Sequence, residues 1–398
     1  MTPRRYETYV IALAPLLNSL SGIAIDLYAP SLPAIGREFG VPVATAQATI
    51  TVTLAAYAAG QIAFGLAADC LGRLRALFPG LALFLAGSLL AVAAPSIELL
   101  MLARAMQGFA IGACQVVARA LLVDNVSGER FYAAVVYLSL AWGLGPVVAP
   151  FVGGYVQEWA GWRWNFVLYA AYGALLLAAS LGLRESLPAA RRMRLRDALA
   201  GYARIAASGR FLCAALALGA SLAAFLAWNV AGPYLVQDEL GRPPSDFGAT
   251  ALAAGAAYLA GTLLNRLLIR RYRADALILA GLGLFAAGAA LPLAAPGLHL
   301  AWLLGGVALV NFGQGLLFSN VVAKTLMLFP DRAGASASLF GCLMMICGAA
   351  GSAAIGQAPI RGNAAMAAVF AALLLVQAGA VAGLLRPRRR AGAARAAP

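Results

Sequence analysis

Twelve stretches of mostly apolar residues, centred near residues 20, 55, 87, 110, 143, 174, 221, 257, 284, 312, 345 and 374, set the terms on which this chain can fold. A membrane-crossing helix needs about 20 such residues, and each stretch is long enough. Inside a bilayer there is no water to satisfy backbone N–H and C=O groups, so each stretch must be helical. Composition agrees: 63% of residues are hydrophobic and 11% charged, against roughly 45–50% and 25% in soluble domains. A soluble fold with that balance would have more core than its polar surface could cover. The expected fold is an all-α integral membrane protein of twelve transmembrane helices. The opening segment starts basic, like a signal peptide. Its apolar run is too long for one and no small-residue cleavage site closes it, so it reads as the first span.

A net charge of +14 would suggest nucleic acid in a soluble protein. Here its placement reports topology. With the N-terminus inside, all but five of the 29 basic residues fall on cytoplasmic segments. Arg37, Arg163, Arg242 and Arg361 lie outside, and Arg104 lies within a span. That is the positive-inside pattern, so both termini are expected in the cytoplasm and no nucleic-acid partner is needed. Trp159, Trp162, Trp164 and Trp302 fall near the outer interface, where an amphipathic indole is stable. Cys70, Cys114, Cys213, Cys342 and Cys347 show no CxxC or Cys/His spacing, so neither disulfides nor a metal site are expected. Abundant Ala and Arg with the single lysine Lys324 suggest a GC-rich bacterial genome, and hence the bacterial cytoplasmic (inner) membrane.

One connection is longer than the rest. It divides the chain into a six-helix bundle over 1–183, a cytoplasmic linker over 184–209, a second six-helix bundle over 210–386 and a basic tail over 387–398. A shift of 201 residues aligns 38–60 with 239–261 without gaps, with ten of 23 positions identical. Gly40/Gly241, Pro42/Pro243, Tyr57/Tyr258 and Gly60/Gly261 carry the match, since alanine richness inflates the rest. Both copies run from an outer loop into an even-numbered span. The halves are therefore expected to be parallel repeats about an axis along the membrane normal, with a site between them near the midplane.

Several motifs, in order and on the right spans, resemble those of the major facilitator superfamily. After span 2, "GLAADCLGR" is similar to its Gly-xxx-Asp-Arg-x-Gly-Arg-Arg loop through Gly65, Asp69, Gly72 and Arg73, with Cys70 and Leu74 departing from the pattern. Span 4 carries an Arg-xx-Gln-Gly-like set in Arg104, Gln107 and Gly108. Span 5, "GLGPVVAPFVGGYV", resembles the antiporter signature through Gly145, Pro146, Pro150, Gly153 and Gly154. "IDLYAPSLPAI", "VARALLVD" and "GWRWNF" resemble the bicyclomycin-resistance (Bcr/CflA) branch of drug:proton antiporters. The resemblance implies a monomeric exporter that needs no cofactor beyond a proton gradient and has a small-molecule substrate. Asp69 at a helix end suits accepting from a helix N-terminus or pairing with a cation, and Arg73 is placed to reach Asp124; such pairs, formed in one conformation and broken in the other, would make a cytoplasmic gate. Plain loop packing, and close helix approach at the span 5 glycines, are the alternative readings of those two motifs.

Intramembrane charges cost about 2.5–3.5 kcal/mol each at a helix centre, and two stand out, Asp26 and Arg104. Loss of water around a carboxylate disfavours its charged form. Asp26 is thus suited to take a proton outside, release it inside and meet cationic substrate groups; otherwise it is a hydrated aspartate at the outer mouth, where Tyr28, Pro30 and Pro33 end the span. Arg104 either sits close to Asp26 and stabilises its charge or bonds helix carbonyls. Asn18, Tyr57, Gln61, Gln107, Gln115, Asn229, Asn311, Gln314 and Asn320 suit a cavity, and equally suit hydrogen bonds between helices. One acid and one base among apolar walls favour neutral or singly charged amphipathic compounds. A specific metabolite remains the second reading. An integral membrane enzyme, a channel and an ATP-driven pump find little support: His299 is alone, the halves repeat, and no Gly-xxxx-Gly-Lys-Ser/Thr loop occurs.

Overall fold

The structure is a computed structural model and describes residues 2–188, 195–294, 297–329, 333–357 and 360–386. The basic tail 387–398 and residues 189–194 of the linker lie outside the described residues. The first half holds α1 (Pro3–Asp26), α2 (Leu32–Phe39), α3 (Val43–Cys70), α4 (Arg73–Val92), α5 (Ile97–Asn125), α6 (Gly128–Ala160) and α7 (Trp162–Ser180). A short helix, α8 (Leu195–Ala206), precedes the second half: α9 (Gly209–Tyr234), α10 (Pro244–Leu268), α11 (Ala274–Ala290), α12 (Leu300–Leu326), α13 (Ala333–Gln357) and α14 (Gly362–Leu385). Among the described residues eleven helical segments are long and apolar enough to cross a membrane, α1 and α2 counting as one. The twelfth, α7, is 19 residues long; Arg163 and Asn165 in its first turn dilute its hydropathy.

The first span departs from expectation. It does not end at Tyr28, Pro30 and Pro33. The helix breaks at Asp26, passes through a 3-10 turn at Ala29–Ser31 and resumes as α2. Tyr28, Ala29, Ser31 and Leu32 are fully buried, so the break lies inside the protein. Pro33 falls in the first turn of α2, where its missing N–H has no helical partner to lose. α2 then stops at Gly40, whose φ of 62° is a conformation that favours glycine.

The repeated residues recur for physical reasons. Gly241, the counterpart of Gly40, has φ 64° at the same turn. Pro42 and Pro243 immediately precede α3 and α10. Glu38 accepts from Trp162 Nε1 (2.6 Å), and Glu239 from the backbone N–H of Gly362 (3.3 Å), so each ties its turn to the start of the last helix of its own half. Where α3 crosses α5, a Cβ on Gly60 would run into the Phe109 backbone, and one on Gly112 into Gly60. Where α10 crosses α12, Gly261 meets the backbone of Phe312 and Gly315 that of Tyr258. Small residues let these helix backbones touch, which in lipid supplies van der Waals contact that no hydrophobic effect provides.

The halves pack through α3 against α13 and α6 against α10. Hydrogen bonds between their helices cluster away from the arginine-rich end. Arg37 pairs with Asp238 (2.8 Å), Gln237 donates to the Pro30 carbonyl (2.7 Å) and Gln47 to that of Val230 (2.8 Å). Thr51 bonds Ser352 at 2.9 Å. The halves are therefore tied together by hydrogen bonds at this far end.

Candidate substrate cavity and gate

Between the halves lies a cavity of about 850 Å³ of empty space, counting its open mouth. Tyr57 and Tyr258, the repeated tyrosines, face it from opposite halves. Phe225, Phe318, Met344 and Met345 give it apolar walls, and Asp26, Asn311 and Gln314 bring polar atoms. A concave chamber with apolar walls and a few converging polar groups is the ordinary form of a small-molecule site.

Asp26 stands where α1 breaks. It is 2% exposed, and its Oδ1 accepts from Asn229 Nδ2 of α9 at 2.7 Å. This hydrogen bond joins the two halves at the cavity wall. The alternative of a hydrated aspartate at an outer mouth does not fit that burial.

Arg104 is fully buried and lies close enough to Asp26 for its charge to act on the carboxylate, as one of the two readings has it, but the two form no ion pair. Its Nη2 donates to the Ala24 carbonyl (2.9 Å) and its Nη1 to Gln107 Oε1 (2.7 Å), while the guanidinium stacks 4.1 Å from the Tyr28 ring centroid. The reason is the helix break: it frees the last carbonyls of α1, and a cation is favoured at a helix C-terminus. Gln107 Nε2 passes the chain on to Ser88 Oγ (2.9 Å). Arg104 thereby holds the broken end that presents Asp26.

The other amides divide. Asn311 and Gln314 line the cavity, although Gln314 also bonds Ser221 and Gln377. Asn18 donates to the Leu138 carbonyl (3.0 Å), Gln61 to Gln115 (2.8 Å) and Asn320 to Asn265 (2.7 Å). These pairs, like Gln107, are taken up by helix-to-helix bonds and do not line the cavity. Spacing alone could not separate the two groups, because both face helix interfaces.

At the basic end Arg73 sits between two carboxylates, 2.5 Å from Asp69 and 2.9 Å from Asp124. Two contributors escaped the sequence reading. Glu185 accepts from the backbone N–H groups of Arg73 (2.9 Å) and Leu74 (3.1 Å), and Ser186 donates to Asp124 (2.7 Å). They lie in the segment after α7, far along the chain, so only folding brings them to the loop. Glu185 caps the start of α4, where a carboxylate is favoured. Gly72 has φ 123°, a turn that favours glycine. Gly65 leaves room for the Tyr202 hydroxyl of α8, which also bonds Ser338 of α13. Burial, and then the Asp69 charge, push the Tyr202 hydroxyl above the ordinary tyrosine range, so it stays a donor.

In α6, Gly145 lies against Gly22 of α1 and Gly153 against Leu27 just past its end, while Gly154 faces the Pro244 carbonyl of α10. Pro146 lines the cavity, and the Pro150 carbonyl abuts Gly248 of α10. The motif thus occupies the seam where one helix touches its own half and the other half at once.

A two-fold repeated helical bundle around a central chamber, with polar groups converging from both halves, defines a secondary-transporter fold. The Major Facilitator Superfamily profile matches residues 16–352, and the chain belongs to that superfamily as a multi-pass membrane protein. It is 30% identical over 347 residues to the multidrug resistance protein MdtL of Salmonella paratyphi B, covering 86% of each chain. It is 27% identical over 321 residues to the MdtL of Shewanella oneidensis, covering 80% of this chain and 81% of that one. With the uncharacterized MFS-type transporter YdgK of Bacillus subtilis it shares 29% over 262 residues, 64% of this chain and 65% of YdgK, so the match spans just under two thirds of that relative. The fold superposes on the crystal structure of a D-xylose–proton symporter with TM-score 0.75 at 14% identity, covering 96% of this chain and 98% of that one. A bacterial homologue of the human lysosomal transporter Spinster, inward-facing and unoccupied, gives TM-score 0.69 at 16% identity, covering 95% and 96%.

Proposed function

We propose that this protein is a proton-coupled exporter of small amphipathic compounds, of the Bcr/CflA kind. It would act as a monomer in the bacterial cytoplasmic membrane, with both termini inside and the proton gradient in place of any cofactor. The observation that carries the reading is Asp26: a buried carboxylate at a helix break, facing the cavity and hydrogen-bonded across the halves to Asn229. A charged acceptor makes a hydrogen bond roughly twice as strong as a neutral one. Proton loading on Asp26 therefore weakens the tie between halves, and proton release restores it. Coupling follows if the two conformations hold that proton differently. The relatives named multidrug resistance proteins support the substrate class, and the apolar walls suit it. The charge cluster of Arg73, Asp69 and Asp124 would act as the gate at the basic end.

The test is transport by purified protein in liposomes under an imposed pH gradient, with a chloramphenicol-type panel and Asp26→Asn beside wild type. Gradient-driven movement that disappears in the variant is the expected result. Movement that survives it places the proton site elsewhere. No gradient-dependent movement of any compound overturns the multidrug reading and turns attention to metabolites.

A further inference from the structure

The polar side chains that line the chamber divide into those already spent on the protein and those that are not. Among the described residues no arginine, lysine or histidine lines it. In the second half Gln314 is fully used. Its Oε1 accepts from Ser221 Oγ (2.6 Å) and from Gln377 Nε2 (3.0 Å), and its Nε2 donates to Gln377 Oε1 (3.0 Å). Ser221 also accepts from Gln377 (2.6 Å). In the first half Ser21 donates to the Asn18 carbonyl (2.6 Å). The Tyr57 hydroxyl is engaged with Ser21 and Gln61, and that of Tyr258 with Thr262.

Two oxygens remain. Asp26 accepts from Asn229 at Oδ1 (2.7 Å), and among the described residues its Oδ2 has no hydrogen bond. Asn311 on α12 donates through Nδ2 to the Val307 carbonyl one turn earlier (2.8 Å). That bond fixes which way the amide points, because only its nitrogen can donate to a carbonyl. Asn311 Oδ1 is left as an acceptor with no hydrogen bond among the described residues, on a residue 3% exposed. Asn311, Gln314 and Phe318 all line the chamber, and their spacing puts them on one face of α12. A buried acceptor without a donor is costly, and a bound compound that brings one removes that cost.

We propose that Asn311 is a specificity-determining residue, whose Oδ1 accepts an N–H or O–H of the transported compound while Asp26, in the opposite half, receives the compound's ammonium. The preferred class is then an amphipathic amine with a second hydrogen-bond donor on its apolar body. Each half supplies one open oxygen, so such a compound spans the seam between the bundles, with Phe225 and Phe318 beside it. Anions find no countercharge on the chamber wall. The assignment rests on the reading of this chamber as the binding site of an exporter of amphipathic compounds.

The experiment is equilibrium binding to the purified full-length protein, without any pH gradient. Tryptamine and 1-methyltryptamine share an ammonium, and the second lacks the indole N–H. Wild type is expected to bind tryptamine about three- to tenfold more tightly, the worth of one hydrogen bond. Indole-3-propionate, an anion of similar shape, should bind at least about tenfold more weakly than tryptamine. Asn311→Leu should bring the two amines to equal affinity, whereas Asn311→Asp, which keeps an oxygen in place, should retain the preference. Size-exclusion profiles and melting temperatures like those of wild type establish that the variants are folded. A purely structural role for the Asn311–Val307 bond would weaken both amines alike and leave their ratio intact, which overturns the proposal. So do equal affinity for the two amines in wild type, tight binding of the anion, or no saturable binding of tryptamine. A donor preference that depends on Asn311, without gradient-driven flux in liposomes, upholds the recognition site and refutes the coupled-export reading instead.

Discussion

Asp26 and Arg104 do not form an ion pair: each is committed to a different neighbour, and the division gives each its task. Asp26 faces Asn229 and the chamber; Arg104 faces the carbonyl of Ala24, the amide of Gln107 and the ring of Tyr28. A planar fork that bonds in two directions while stacking on an aromatic ring is not reproduced by an ammonium. Arg104→Lys is therefore expected to lower stability by about 2–3 kcal/mol, the worth of one charged hydrogen bond, read as a lower melting temperature in detergent. Recovery of wild-type melting in the lysine variant would refute the capping role. Both residues were visible in the sequence as charges within spans. Their partners were not, because Ala24 becomes an acceptor only where α1 breaks, and Asn229 lies in the opposite half.

At the scale of elements, the helices are held by glycines. The crossings of α3 with α5 and of α10 with α12 bring backbone to backbone at Gly60, Gly112, Gly261 and Gly315. Gly112→Leu must push α3 and α5 apart. Overpacking of this kind costs about 1–3 kcal/mol, and here the obstacle is backbone, which cannot rotate aside. A melting temperature well below wild type is expected, with Gly143→Leu as the control, since nothing lies near that glycine. Similar losses in both would show that the crossing itself is not what the glycine serves. Half of this crossing was legible: Gly60 and Gly261 stood out in the repeat, but a repeat does not reveal which carbonyl each glycine meets. The break in α1 was misread because its prolines come after it: Pro30 lies in the 3-10 turn and Pro33 in the first turn of α2, where they seemed to end the first helix.

At the scale of the whole molecule, hydrogen bonds tie the two bundles together at the far end. The pair Arg37–Asp238 is one of these and joins positions one repeat apart, which places it beside the axis relating the halves. Both side chains are well exposed, so removing the charge pair with Arg37→Ala should change stability by less than about 1 kcal/mol. Linking the same positions should matter far more. In a variant whose native cysteines are replaced, Arg37→Cys with Asp238→Cys joined by a short thiol-cleavable crosslinker should arrest transport, and reduction should restore it. Unimpeded transport by the crosslinked protein would mean that the halves do not separate at the far end during the cycle.

The sequence by itself determined that the chain is a helical membrane protein, how many times it crosses, and that its halves repeat. Those properties follow from local hydropathy, from the charge of the loops and from turn residues whose conformation glycine and proline set on their own. Only the tertiary structure decided which polar residues face the chamber. Asn311 and Gln314 reach it while Gln61, Gln107 and Gln115 serve neighbouring helices. The physical reason is that an amide or guanidinium in a helix bundle takes whichever partner the packing brings within about 3 Å, and that geometry is set by helices far apart in the chain.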